Sequence, residues 1–113
     1  CLTVMPCTGN TLAKLANAIN DSPVCMAAKA QMRNHRPVVL AVTTNDGLGM
    51  NARNLGQLLA TRNVYFVPFG QDKPHAKPTS IDADVENLLI PTVLAAMEGR
   101  QLQPLLLGPL SGE

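Results

Sequence analysis

Pro37-Val38-Val39-Leu40-Ala41-Val42 is a continuously apolar run rich in β-branched residues, and it decides the fold class. A strand with one wet face would alternate apolar and polar residues, whereas a strand covered on both faces stays apolar throughout, as in a parallel sheet. Polar, glycine-bearing sequence follows from Thr43 to Asn51, and then Leu55, Leu58 and Leu59 mark a helix reaching about Arg62. Val64 to Val67 is the next strand, closed by Pro68. Toward the N-terminus, Leu2 to Met5 is a short apolar strand closed by Pro6. Between the first two strands, Leu12, Leu15, Ala16 and Ile19 recur at helical spacing, with Asn10 or Thr11 placed to cap the helix, which ends near Asn20. Asp21-Ser22-Pro23 starts a second helix with the stripe Val24, Ala27, Ala28 and Met32, ended by Asn34 and His35.

Phe69 to Ser80, with Gly70, Pro74 and Pro78, has the composition of a functional loop or mobile lid. A last helix follows, with the stripe Val85, Leu88, Leu89, Val93 and Ala96 and Gly99 as its stop. Pro91 must kink this helix or mark a later start. The tail after Gln103 reads as a short strand, a docking arm or disorder. This order of elements is α/β grammar: a Rossmann-like (flavodoxin-like) parallel sheet in three layers, with helices on both faces. The chain opens on Cys1, without an initiator Met, directly into a strand. Residues 1–113 are therefore expected to be a single domain, the C-terminal part of a flavodoxin-like unit whose N-terminal strands are missing. An exposed sheet edge also points to a homo-oligomer.

Composition narrows the function. Nine Lys and Arg stand against eight Asp and Glu, a formal net charge of +1, so the electrostatic footprint of a nucleic-acid or anionic-membrane partner is missing. No apolar stretch approaches a bilayer span, and no signal peptide is evident, which fits a cytoplasmic protein. Cys1, Cys7 and Cys25 are an odd number without metal-ligand spacing, and His35 and His75 lie in different segments, so no metal cage is expected.

Ligands of open α/β sheets bind beyond the carboxyl ends of the strands. Here those ends are Pro6-Cys7-Thr8-Gly9-Asn10-Thr11, Thr43-Thr44-Asn45-Asp46-Gly47 with Leu48-Gly49-Met50-Asn51, and Pro68-Phe69-Gly70-Gln71-Asp72. They should converge on one crevice lined by hydroxyls, side-chain amides and backbone N–H groups, suited to a polar planar ligand or a carboxylate. Each residue also has a plainer reading. Thr8, Asn10 and Thr11 serve equally as helix caps, and Asn45, Gly47, Gly49 and Asn51 as loop residues. Cys7 is better read as a small packed residue than as an activated thiol. His35 and His75 read as surface residues. No dinucleotide, P-loop or nucleophile-elbow motif is present.

The string from Pro6 to Asp21 resembles the signature of the flavoprotein superfamily of phosphopantothenoylcysteine decarboxylases, peptidyl-cysteine decarboxylases and flavin prenyltransferases. Within it, Thr8 to Asp21, Met26 to Ala30, Arg36 to Leu40, Thr44 to Gly49, Phe69 to Asp72 and Gln101 to Pro104 are most similar to the dipicolinate synthase B-subunit family. That resemblance spans nearly the whole chain. It implies an FMN-linked oxidoreductase role in making dipicolinate in sporulation, from a dihydrodipicolinate-type dicarboxylate substrate. It also implies a partner, the A subunit of dipicolinate synthase. By the same resemblance Pro6, Thr8, Gly9, Asn10, Thr11, Thr43 and Thr44 bind the cofactor, with Asn10 and Asn45 as the catalytic candidates. Two departures bear on the alternatives, a decarboxylase, a prenyltransferase or a non-catalytic assembly module. The glycine and hydroxyl-rich loop that cradles the FMN phosphate in the superfamily is absent. The decarboxylases' Pro-x-Met-Asn motif is replaced by Thr44 to Asn51.

Overall fold

The computed structural model describes residues 1–108, so the end of the expected tail, including Pro109 and Gly112, lies outside the described residues. Its elements in chain order are β1 (Leu2–Cys7), α1 (Gly9–Ala16), α2 (Pro23–Arg33), β2 (Val38–Thr44), α3 (Ala52–Leu59), β3 (Val64–Phe66), β4 (Phe69–Gly70), β5 (Ile81–Ala83) and α4 (Val85–Met97). β2 is the central strand. It pairs in parallel with β1 through Leu2↔Val38 and Val4↔Leu40, and with β3 through Val38↔Val64 and Leu40↔Phe66. Every residue from Val38 to Val42 is at most 1% exposed. Because successive strand side chains point to opposite faces, both faces of β2 must be covered. Helix α1, with α2 and α3 each packed against it, provides one cover, and α4, which packs on β2 and β3, provides the other.

The sheet is mostly parallel but not wholly so. Phe69 to Ser80 reads as loop, yet Phe69–Gly70 forms β4 and pairs antiparallel with β5, which in turn pairs antiparallel with the end of β2 through Thr43↔Asp82 and Thr44↔Ile81. Ile81-Asp82-Ala83 does alternate buried, half-buried, buried, but three residues are too few to register as a periodic signal. β1 does not stop at Pro6 as expected. It carries a cis Met5–Pro6 peptide and a register shift, and pairing resumes at Cys7↔Val42. The irregularity accommodates a residue that has no N–H to give the ladder.

The helices differ from the expected ones mainly in their ends and faces. α1 stops at Ala16, because the Asn17 side chain donates to the Ala13 carbonyl at 2.8 Å and Ala18 turns left-handed at φ 57°. Ile19, expected on the buried stripe, is consequently exposed. The α1 cap is Thr8, whose Oγ1 accepts the Thr11 N–H at 3.3 Å, rather than Asn10 or Thr11. In α2, capped by Ser22 with Pro23 in the first turn, the buried residues are Cys25 and Ala28, with Met32 packed against the core; Val24 and Ala27 face out. α3 ends at Leu59, three residues short of Arg62, and buries Asn54 beside Leu55 and Leu58 while Leu59 is exposed. α4 runs unbroken past the exposed Pro91, and its Val85, Leu88, Leu89, Val93 and Ala96 stripe lies against the core as expected. Gly99 closes it at φ +77°. Ile90, Leu94 and Met97, on the other side of α4, are more than half exposed.

One edge of the sheet is closed by a side chain. The Phe66 N–H donates to Gln101 Oε1 at 2.8 Å, and Gln101 Nε2 donates to the Phe66 carbonyl at 2.7 Å, so the amide stands in for a neighbouring strand at β3. The tail contributes as well: Leu106 bridges Phe69 in parallel, with Phe69 N–H donating to the Leu105 carbonyl at 3.1 Å.

Candidate functional site

The three strand ends do converge. A crevice of about 460 Å³ is lined by Gly9 from the end of β1, by Thr43, Thr44 and Asn45 from the end of β2, and by Asp72, Lys77, Ser80 and Asp82 from the segment between β4 and β5 and from β5 itself. Of the candidates read from the sequence, Gly9, Thr43, Thr44 and Asn45 are on this lining. Pro6, Thr8, Asn10 and Thr11 sit beside it at the β1–α1 junction, with Pro6, Thr8 and Asn10 exposed. A larger concavity of about 820 Å³ lies at the opposite end of β3, around Arg62, Tyr65 and Gln101, away from every strand's carboxyl end.

The loops are held together from beneath by a chain of buried polar groups. Asn51 Nδ2 donates to the Gly9 carbonyl and to Asp46 Oδ1, each at 3.1 Å, so one amide joins the first two strand ends. Its oxygen accepts from Asn54 Nδ2 at 2.7 Å, and Asn54 Oδ1 accepts from Asn17 Nδ2 at 3.1 Å. Asn51 and Asn54 are 8% and 7% exposed, and buried amides are tolerable only when paired in this way. Thr44 Oγ1 donates to Asp46 Oδ1 at 2.6 Å. The bonds from Thr44 and Asn51 hold the Asp46 carboxyl below the ordinary carboxylate range, because both stabilise its charged form.

Gly9 is a glycine for a packing reason. A Cβ there would lie 2.7 Å from Thr44 Oγ1, 3.0 Å from Asn51 Nδ2 and 3.2 Å from Asp46 Oδ1, so helix α1 can start this close to the second loop only without a side chain.

The segment from Gln71 to Ser80 is fastened down rather than loose at its end. Thr79 Oγ1 donates to the Asn45 carbonyl at 2.7 Å, Ser80 Oγ to the Thr44 carbonyl at 3.3 Å, and Gln71 Nε2 to the Pro78 carbonyl at 2.8 Å. Thr43 Oγ1 donates to Asp82 Oδ1 at 2.8 Å.

This bonding separates the polar groups into those already used and those still available. The Thr44 hydroxyl, Asp46, Asn51 and Asn54 bond one another. The side chains of Asn10 and Asn45 form no hydrogen bond with any described residue, and both are exposed. Cys7 falls on the packed side. It is wholly buried, its thiol is pushed up to about 12, mainly by burial and secondarily by Cys25, and it is no activated nucleophile. Asp46 and Asp72 lie within the strand-end stretches read from the sequence, whereas Asn17, Asn54, Lys77, Ser80 and Asp82 are not singled out there. Asn54 had a usable signal, since Asn51, Asn54, Leu55 and Leu58 share one helical face. The β5 contribution had none.

Comparison with known proteins places the chain in a family. Residues 1–98 match the family described as Flavoprotein. The chain belongs to the flavoprotein family. It is 52% identical over 112 residues to the B subunit of dipicolinate synthase from Bacillus subtilis (strain 168), an alignment covering 99% of this chain and 56% of that protein. The crystal structure of the dipicolinate synthase B subunit from Bacillus halodurans C superposes with a TM-score of 0.94 at 50% identity, over 97% of this chain and 56% of that one. The chain thus spans about half the length of these relatives. The resemblance read from the sequence, to the flavoproteins and within them to the B subunits, is the one these comparisons return. No helix among the described residues is long and apolar enough to cross a membrane.

Proposed function

We propose that the chain acts as an FMN-dependent cytoplasmic component of dipicolinate synthase, working with that enzyme's A subunit to convert a dihydrodipicolinate-type precursor to pyridine-2,6-dicarboxylate in sporulation. The observation that carries this reading is the 52% identity maintained over 99% of the chain. The lining supports it chemically. The edge of a flavin ring offers alternating N–H and carbonyl groups, and a dicarboxylate offers acceptors; the unspent amides on Asn10 and Asn45 suit both, while the exposed hydroxyls of Thr8 and Thr43, which donate to Thr11 and Asp82, can accept from a ring N–H. Asn10 and Asn45 are the groups that would touch the reacting ring. Thr8, Thr11 and Thr43 would contribute hydroxyls, Pro6 an apolar wall, and Gly9 and Thr44 the close backbone approach beneath. When bound, FMN supplies the acceptor for the two electrons that leave a dihydropyridine as it becomes aromatic. This chain's own residues orient the ring and hold its carboxylates. The exposed Ile90, Leu94 and Met97 stripe on α4 supports a homo-oligomer, since a contiguous apolar face is stabilised by a covering chain.

Titrating the purified chain with FMN and following flavin absorbance and fluorescence tests the cofactor. Adding the A subunit together with a dihydrodipicolinate-type substrate, and following dipicolinate absorbance, tests the reaction. Saturable flavin binding that weakens in Asn10→Ala at unchanged stability is the expected result. A folded chain, extended or not to the length of its relatives, that binds no flavin refutes the reading.

A further inference from the structure

The way the chain leaves α1 opens a recess between α1 and α2. After Ala16 the Ile19 N–H donates to the Lys14 carbonyl at 2.9 Å and Ala18 is left-handed at φ 57°, so the connection turns back on the last turn of the helix. The recess, about 130 Å³, has a mostly apolar lining from Leu15, Ile19, Cys25 and Met32, and its polar groups belong to Lys14, Asn20 and Lys29. It shares no lining residue with the strand-end crevice.

Size and charge together limit what it can take. An apolar cavity of about 150 Å³ holds a benzene molecule, so this one has room for an apolar body of about six carbons. The lining carries two ammoniums and one amide and no carboxylate. Lys14 is already paired, at 3.0 Å from Asp21 Oδ1. Among the described residues the exposed Lys29 ammonium makes no ion pair, and the exposed Asn20 side chain makes no hydrogen bond. The complement is therefore an apolar body with a single negative charge at one end. A second carboxylate would have to enter among Leu15, Ile19 and Met32 without a partner, at a prohibitive desolvation cost.

We propose that the α1–α2 recess is a binding site for a short-chain fatty acid, with the tail over Cys25 and the carboxylate on the Lys29 ammonium. The Asn20 amide is a second donor to that carboxylate. The site is separate from the crevice of the proposed function and stands whether or not the chain binds flavin.

NMR titration of the chain, with the Ile and Met methyl groups observed, tests it against acetate, butanoate, hexanoate, hexan-1-ol and hexanedioate at constant ionic strength. Affinity should rise up to about fourfold per methylene from butanoate to hexanoate, and shifts should fall on Ile19 and Met32 and spare Ile81, which lines the crevice. Hexan-1-ol and hexanedioate should each bind about threefold or more weakly than hexanoate. Lys29→Gln should weaken hexanoate about threefold and Lys29→Arg retain it, and Cys25→Met, which fills the recess from its buried side, should abolish binding. Affinity independent of chain length, hexan-1-ol or hexanedioate matching hexanoate, indifference to Lys29→Gln, shifts confined to Ile81, or no binding to the folded chain overturns the inference. Should Cys25→Met not fold, the variants of the exposed Lys29 decide alone.

Discussion

Replacing Gly9 with Ala perturbs the site at the point where its two main loops touch. The new methyl would lie 2.7 Å from Thr44 Oγ1 and 3.0 Å from Asn51 Nδ2, closer than carbon tolerates. Neither neighbour is the free end of a flexible side chain; both are buried and hydrogen-bonded, so relief requires α1 to move off the second loop. Overpacking of this kind costs about 1–3 kcal/mol. Against it stands the backbone-entropy gain of Ala over Gly, about 0.5–1 kcal/mol in a helix interior and less in the first turn. The net expectation is a loss of about 1–2 kcal/mol, or a Tm lower by about 4–8 °C for a domain of this size. Gly56, mid-way along α3, is the internal control. A Cβ there meets nothing within 4 Å, so Gly56→Ala should stabilise by about 0.5–1 kcal/mol through propensity alone. Urea unfolding followed by far-ultraviolet circular dichroism measures both. Should Gly9→Ala match or exceed wild-type stability, the packing account of this glycine is wrong. A cycle with Thr44→Ala sharpens the point, because removing the offended hydroxyl should make the two substitutions less than additive.

Gln101→Leu should cost about 1–3 kcal/mol in the same assay, because Phe66 loses partners for both its N–H and its carbonyl; Gln101→Glu should be nearly as harmful, since a carboxylate then faces that carbonyl. Thr8→Ala should remove about 1 kcal/mol as the α1 cap is lost, whereas Asn10→Ala should change stability little; the reverse order would return Asn10 to a capping role. Asp46 has a lowered folded-state pKa, so its stabilising contribution is complete above the unfolded value and is lost as pH falls through the folded one. Asp46→Asn should therefore flatten the decline in stability on the acid side of pH 4–5, and an unchanged slope would refute its assigned hydrogen bonds. Thiol titration of the native chain should show Cys1 reacting fast and Cys7 and Cys25 only on unfolding; fast modification of Cys7 would contradict its burial.

The parallel frame was legible because β2 is long, apolar from Val38 to Val42 and bounded by turn residues, and those are the features that a buried central strand requires. Helix starts read well where a capping side chain precedes Pro23, and less well at α1, where Thr8, Asn10 and Thr11 all have the chemistry of a cap and only backbone geometry distinguishes them. The convergence of the strand ends followed from the topology of parallel sheets. What the sequence could not disclose was pairing across long separations: Thr43 with Asp82, Asn51 with Gly9, Gln101 with Phe66. Each of these depends on which side chains meet after folding, and neither periodicity nor composition carries that information. β4 and β5 belong to the same class, since two and three residues cannot show a period.

The unread contacts also explain how one crevice can be both rigid and receptive. Loops at strand ends have few apolar contacts to fix them, so their shape must come from hydrogen bonds. Here the fixing bonds run underneath and behind: Asn51 and Asn54 join the first loop to the second, and Thr79 and Ser80 fasten the third segment to the carbonyls of Asn45 and Thr44. Because the anchoring of the second loop uses its backbone carbonyls and its buried side chains, the outward side chains of Asn10, Asn45 and Lys77 are not consumed by it. Loop backbones held in place before a ligand arrives lose little entropy on binding, so the buried amides would act on recognition without touching the ligand. The hydrogen-bonded floor sets the geometry, and the exposed rim is where the proposed chemistry would take place.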